Sequence, residues 1–277
     1  MGIAGQMRLS PWRPQGEVAR AYADTAVRLD QPWRAAPYCA VDLETTGLDL
    51  DRDSIVSFGA VHITGGRVIA GSSIYRLVGG TAKASPAAIA VHTLQSADLA
   101  DAPPWEDSVD LLLGALTGRV LVAHAAWVEG AFLRRAFRLR RVRPPRIVID
   151  TAALARRAGL AAAGAPAEPS LEALAGDLGL PGHTPHHALG DALTTAEVFL
   201  ALTARLDATG PQTVRTLVST SRRFGWQLPD PPPGRRPAGR GYAGTAGSRD
   251  TGPLGTQHEA PGARLPDTPS YLSRSWQ

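Results

Sequence analysis

Two carboxylates stand one residue apart in the run Val41-Asp42-Leu43-Glu44-Thr45-Thr46-Gly47. Apolar residues alternate with them, so the run reads as a strand. Successive strand side chains leave on opposite faces. Asp42 and Glu44 therefore share a face, roughly 7 Å apart along the strand. Two like charges held there repel, and burial sharpens the repulsion. A shared cation relieves it, and carboxylate oxygens suit a hard divalent ion such as Mg2+. A lone D-x-E pair could equally sit at an exposed strand end and prepare the turn at Thr45-Thr46-Gly47.

Three further segments carry an acid in apolar surroundings. Glu129 lies in LVAHAAWVEGAFL (121–133), Asp150 in VIDTAALARR, and Asp191 in HHALGDALTTAEVF (186–199). Strand ends and the starts of the following helices converge on one edge of an α/β sheet, where ligand sites gather. His186 and Asp191 are five residues apart, roughly 140° around one helix. They meet only if His186, after Pro185, lies in the loop before the helix. Its neighbour His187 is the competing candidate.

These residues need a sheet to position them. Strands are expected at 38–44, 55–63, 67–77, 119–124 and 146–151, with Gly65-Gly66 as a hairpin turn. Helical spacing covers 105–116, 127–138, 151–157, 170–178 and 188–206. A three-strand meander followed by strands alternating with helices implies an α/β fold: a mixed five-stranded sheet flanked by helices. Residues 1–36 read as an irregular start and an extension with a short amphipathic helix (Val18, Tyr22, Ala26, Leu29). Residues 37–210 read as the compact domain, and 211–228 as a C-terminal helical extension. The tail 229–277 holds 9 Pro and 8 Gly in 49 residues. That composition cannot bury enough apolar surface to order itself, so disorder is expected.

The chain has 277 residues, 44% hydrophobic, a net charge of +4 and one cysteine, Cys39. One cysteine excludes an intramolecular disulfide and cysteine-rich zinc patterns. No apolar run is long enough for a membrane span and no secretory h-region appears, so no membrane is expected and a cytoplasmic setting is the default. The basic balance fits nucleic acid, but Lys83 is the sole lysine, so the arginine richness reflects composition. Seven arginines in 134–146 could track phosphates or form a solvated helix end. Trp105, Trp127 and Trp226 could stack on bases or pack in a core.

In ordered blocks, the chain resembles the DEDDh family of 3′–5′ exonucleases, related to proofreading subunits of bacterial replicative polymerases. Asp42, Glu44, Thr45, Thr46 and Gly47 match the D-x-E-T-T-G strand. Leu121 to Leu133 matches the second block, Asp150-Thr151 the D-T pair, and His186, Ala188, Asp191 and Ala192 the H-x-A-x-x-D-A block. His92 matches the histidine of the segment between. Ala125 replaces the usual Asn, Val128 the usual Phe, Glu129 the usual Asp, and Thr93 the usual Gly. Glu129 is longer than Asp by about 1.5 Å.

The resemblance implies a ribonuclease H-like fold and hydrolysis with two Mg2+ or Mn2+ ions. Asp42 would bridge the ions, Glu44 and Asp191 complete one site, and Glu129 support the other. His186 would be the general base. Leu43, Thr45, Thr46 and His92 would meet the terminal nucleotide, and His124 either a phosphate or a structural partner. Asp150 is expected to cap the next helix. The implied substrate is a single-stranded or frayed DNA 3′ end, releasing nucleoside 5′-monophosphates, with a polymerase or repair complex as partner. Short RNA, or a non-catalytic module that binds nucleic acid or a polymerase, are the alternatives.

Overall fold

The structure, a computed structural model, describes residues 13–80, 83–162 and 168–225. Residues 1–12, Trp226 and the tail 229–277 lie outside them. Five strands, β1 (Tyr38–Thr45), β2 (Ile55–Thr64), β3 (Arg67–Leu77), β4 (Val120–Ala123) and β5 (Val148–Asp150), form one sheet. Its order is β3-β2-β1-β4-β5. The first three run antiparallel, while β4 and β5 run parallel to β1. Gly65 and Gly66 both have positive φ, the requirement of a two-residue type I′ hairpin turn.

β1 lies at the centre and is buried on both faces, which explains its apolar run. On one face, Tyr38, Ala40, Val61 and Ile63 pack beneath α5 (Thr151–Arg157), α6 (Leu171–Asp177), α7 (Ala188–Asp207) and α8 (Val214–Phe224). Phe199 of α7 seats 4.7 Å from the Tyr38 ring. On the other, Cys39, Val41, Leu43 and Phe58 pack against α3 (Trp105–Leu116) and α4 (Trp127–Ala136). Among the described residues no helix is long and apolar enough to cross a membrane.

The departures from expectation have local causes. Helix α1 (Glu17–Asp24) ends before Ala26 and Leu29, because Thr25 turns extended and its hydroxyl donates to the Ala21 carbonyl (2.6 Å). The chain beyond it is recruited elsewhere. Leu29 and Gln31 carbonyls accept the N–H groups of Arg215 and Val214, and Trp33 N–H donates to Gln212. Both flanks are thus stitched together, and Val214, Leu217 and Val218 join the first core. A short helix without an expected counterpart, α2 (Pro86–His92), starts at a Ser85 cap followed by proline at its first position. Helix α4 stops at Ala136 and tightens into a 3-10 turn over Phe137–Arg140.

Candidate active site

The C-terminal end of β1 carries the first two acids. In the cross-strand rows Asp42 pairs with Gly59 and Gly59 with Tyr75, while Glu44 pairs with Ser57 and Ser57 with Leu77. A register shift falls between Glu44 and Thr45, where β1 leaves its ladder with β2. Bulges of this kind re-aim side chains at sheet ends. Gly59 decides what lies above this edge. A Cβ there would fall 2.1 Å from the Ala188 carbonyl oxygen and 2.5 Å from Leu189 N. Only glycine lets the first turn of α7 rest on the sheet. That contact carries Asp191, in the same turn, over β1. One oxygen from each of Asp42, Glu44 and Asp191 then lies within 4.8 Å of the others.

His186 occupies the loop before α7, as its spacing from Asp191 required. Its φ is 56°, its side chain is exposed, and its N–H donates to Asp191 Oδ2 (2.9 Å). His187 is the helix cap: Nδ1 accepts the Gly190 N–H at 3.4 Å, and its ring stacks on Tyr75. Gly190 has no room for a Cβ either, since the Thr184 carbonyl would lie 2.2 Å away. The loop is folded back over the helix start.

Electrostatically the cluster is strained. Burial foremost, then the charges of Glu44, Glu129 and Asp191, push the Asp42 carboxyl well above the carboxylate range. Burial and Asp191 raise Glu44 to about 8. Asp191 rises to about 6 through burial and Glu172, restrained by the His186 N–H. Oxygen donors kept close at this cost suit a hard divalent cation, which would supply the missing positive charge. Glu129 stands in the first turn of α4 and is 4% exposed, with Oε2 unpartnered. Burial, with Asp150 and Glu44 contributing, raises it to about 8. It lies outside the group of three, yet its field reaches Asp42. The donor set therefore fits divalent cations.

The other expected residues lie outside this group of three. Asp150 accepts the Ala152 N–H and caps α5. Both His124 nitrogens are engaged, Nδ1 with Thr151 Oγ1 (2.8 Å) and Nε2 with the Pro169 carbonyl (2.7 Å). His124 thus ties β4 to the segment entering α6. Thr45 Oγ1 donates to the Gly47 carbonyl and Thr46 Oγ1 to Asp53, inside the turn. Leu43 is buried in the second core, on the face opposite the acids. His92 ends α2, buried, with Nδ1 accepting the Leu94 N–H and Nε2 unpartnered. Three residues went unnoticed in the sequence: Gly59, Tyr75 and Glu172. Glu172 opens α6, and its charge raises the Asp42 and Asp191 carboxyls. Its signal was an acid just after the helix-capping Ser170.

The profile of the exonuclease family RNase_T matches residues 39–199. The chain is 35% identical over 204 residues to a DNA polymerase III subunit epsilon-like protein of Rhodobacter capsulatus, covering 73% of this chain and 28% of that protein. It is 26% identical over 196 residues to the 3′-5′ exonuclease DinG of Staphylococcus epidermidis, covering 70% and 21%. The chain thus spans less than a third of the length of these curated relatives. Among solved structures, Exonuclease X in complex with 5′ overhanging duplex DNA superposes with a TM-score of 0.51 at 25% identity, covering 66% of this chain and 99% of that one. Exonuclease I shares the fold, with a TM-score of 0.55 at 15% identity over 68% and 44% of the two chains. The architecture is ribonuclease H-like, a mixed five-stranded sheet flanked by helices. Since the matched segment takes in every acid of the cluster and, but for Tyr38, all five strands, the chain belongs to the exonuclease family.

Proposed function

We propose that this chain is a divalent-metal-dependent 3′–5′ exonuclease that releases nucleoside 5′-monophosphates from single-stranded or frayed DNA 3′ ends. The observation that carries the reading is the convergence of Asp42, Glu44 and Asp191 within 4.8 Å beside an exposed His186. Asp42, Glu44 and Asp191, with Glu129 behind them, would hold two Mg2+ or Mn2+ ions. Bound there, such ions lower the pKa of water and neutralise charge on the attacking and leaving oxygens. The chain supplies the rest. The imidazole of His186 accepts the proton of the attacking water, a task suited to histidine near neutral pH. Asp191 holds the His186 backbone through its N–H, so base and carboxylates move as one unit. Thr45, Thr46 and His92 shape the wall against which the terminal nucleotide rests. His124 acts through its two hydrogen bonds as a strut between β4 and α6.

A paired terminus must fray before its last phosphodiester reaches a cleft at the sheet edge, which favours single strands. The reading takes the cytoplasm as the working compartment and a polymerase or repair complex as partner, in keeping with the epsilon-like relative. The test is release of mononucleotides from 5′-labelled DNA and RNA oligonucleotides of the same sequence, with Mg2+ or Mn2+. Activity on DNA, abolished by chelator and by Asp42→Ala, is expected. Preferential activity on RNA reassigns the substrate. No release from either strand overturns the nuclease reading in favour of a binding module.

A further inference from the structure

Tyr75 has no role in the chemistry described so far, yet it sits in the same cross-strand row as Asp42. Gly59 lies between them, paired to both. Because Gly59 has no side chain, the first turn of α7 descends into the gap between Asp42 and Tyr75. The Tyr75 ring then meets the ring of His187 face to face, with centroids 4.3 Å apart and planes at 28°. His187 is also held from the other side, since Nδ1 accepts the Gly190 N–H. Its neighbour His186 adopts φ 56°, a left-handed conformation that a non-glycine residue holds only under constraint. Its side chain is exposed, and among the described residues its hydrogen bond is the backbone one to Asp191.

We propose that the Tyr75–His187 stack is a clamp that positions His186 against the carboxylate cluster. The inference rests on the reading of His186 as general base. The imidazole is a solvent-facing ring on a loop, and an exposed ring samples several rotamers. Its backbone must be fixed if the ring is to act from one place. Asp191 fixes the N–H side of the residue. The stack fixes the following residue, so the peptide between His186 and His187 is pinned at both ends. Tyr75 belongs to a strand and is more rigid than the loop it supports, as a positioning element should be. Tyr75 is a positioning residue in this account, acting on the loop through the His187 ring.

The test uses the full chain with Tyr75→Ala and Tyr75→Phe, alone and in a His186→Ala background. Tyr75→Ala is expected to lower kcat about 10- to 100-fold, the range of a misplacement near 1 Å, with KM within about threefold. Tyr75→Phe keeps the ring and is expected to stay within about threefold of wild type. In the His186→Ala background, Tyr75→Ala should bring no further loss. Amide order parameters over 184–187 should fall in Tyr75→Ala and hold in Tyr75→Phe. Undiminished kcat in Tyr75→Ala, the same fold-loss with and without His186, or unchanged order parameters each overturn the clamp. An inert wild type refutes the nuclease reading instead, and the order parameters still decide whether the stack holds the loop.

Discussion

The substitution Gly59→Ala isolates the contact that assembles the site. A Cβ at 59 would lie 2.1 Å from the Ala188 carbonyl oxygen and 2.4 Å from its carbon, both backbone atoms that no rotamer can move. Restoring ordinary contact at 3.4 Å separates sheet and helix by about 1.3 Å. Asp191 rides on the same turn, so its oxygens withdraw from Asp42 and Glu44 by a similar distance. A misplacement near 1 Å lowers rate about 100-fold. Overpacking of this kind costs about 1–3 kcal/mol, or roughly 2–12 °C in Tm for a domain this size. Mononucleotide release and thermal melting are measured on Gly59→Ala beside Gly71→Ala, whose added Cβ meets nothing within 4 Å. Activity should collapse in the first and persist in the second. Full activity in Gly59→Ala would show that the helix does not rest on the sheet as described, and the geometry of the acid cluster would fall with it.

Two departures from the family pattern, Thr93 and Ala125, occupy left-handed backbone at φ 61° and 50°. Thr93→Gly and Ala125→Asn should each relieve part of the roughly 1–2 kcal/mol strain of that region, raising Tm by about 1–3 °C. An unchanged or lower Tm in both would contradict that cause. The raised carboxyls of Glu44 and Glu129 (each about 8) and Asp191 (about 6) set a pH dependence. Between the unfolded value near ~4 and pH 8, the native state keeps protons that the unfolded chain has lost, so metal-free stability falls as pH rises. Melts in chelator should show Tm dropping from pH 5.5 to 8, and Mn2+ should restore more at pH 8. At 100 times its Kd, the ion adds about 2.7 kcal/mol. A chelated Tm that climbs over that interval would refute the assignment. Glu129→Ala should lower the rate at least ~10-fold, whereas Glu129→Asp should retain most of it, because charge at this buried position matters more than reach. Equal rates in Glu129→Ala and wild type would remove Glu129 from the site.

What could be read from the sequence was what repeats or alternates locally. Alternation exposed β1 and put Asp42 and Glu44 on one face. Helical spacing marked α3 at Trp105–Leu116 and α7 from Ala188, and the paired glycines marked the β2–β3 hairpin. Helix α2 escaped because its large apolar residues, Ile89 and Val91, stand two apart and mark no helical stripe, leaving only a Ser-Pro start. Helix α1 was read too long because Leu29, at helical spacing from Val18, Tyr22 and Ala26, is apolar for a different reason: it packs on the core shared with α8.

The site divided in the same way. Residue types and order pointed to Asp42, Glu44, Glu129, Asp191 and His186, since chemistry constrains which side chains appear. Block spacing favoured His186 over its neighbour His187, and the structure gives the two different settings: one has φ 56° and faces solvent, the other caps α7 and stacks on Tyr75. Gly59 and Tyr75 carried no local signal, and Glu172 only that of an acid in the first turn after a helix-capping serine. Each matters through a partner far along the chain, and only packing of α6 and α7 onto the sheet brings those partners into reach. Periodicity is a property of neighbours in sequence, whereas the field that raises the acids and the gap that admits the helix belong to neighbours in space.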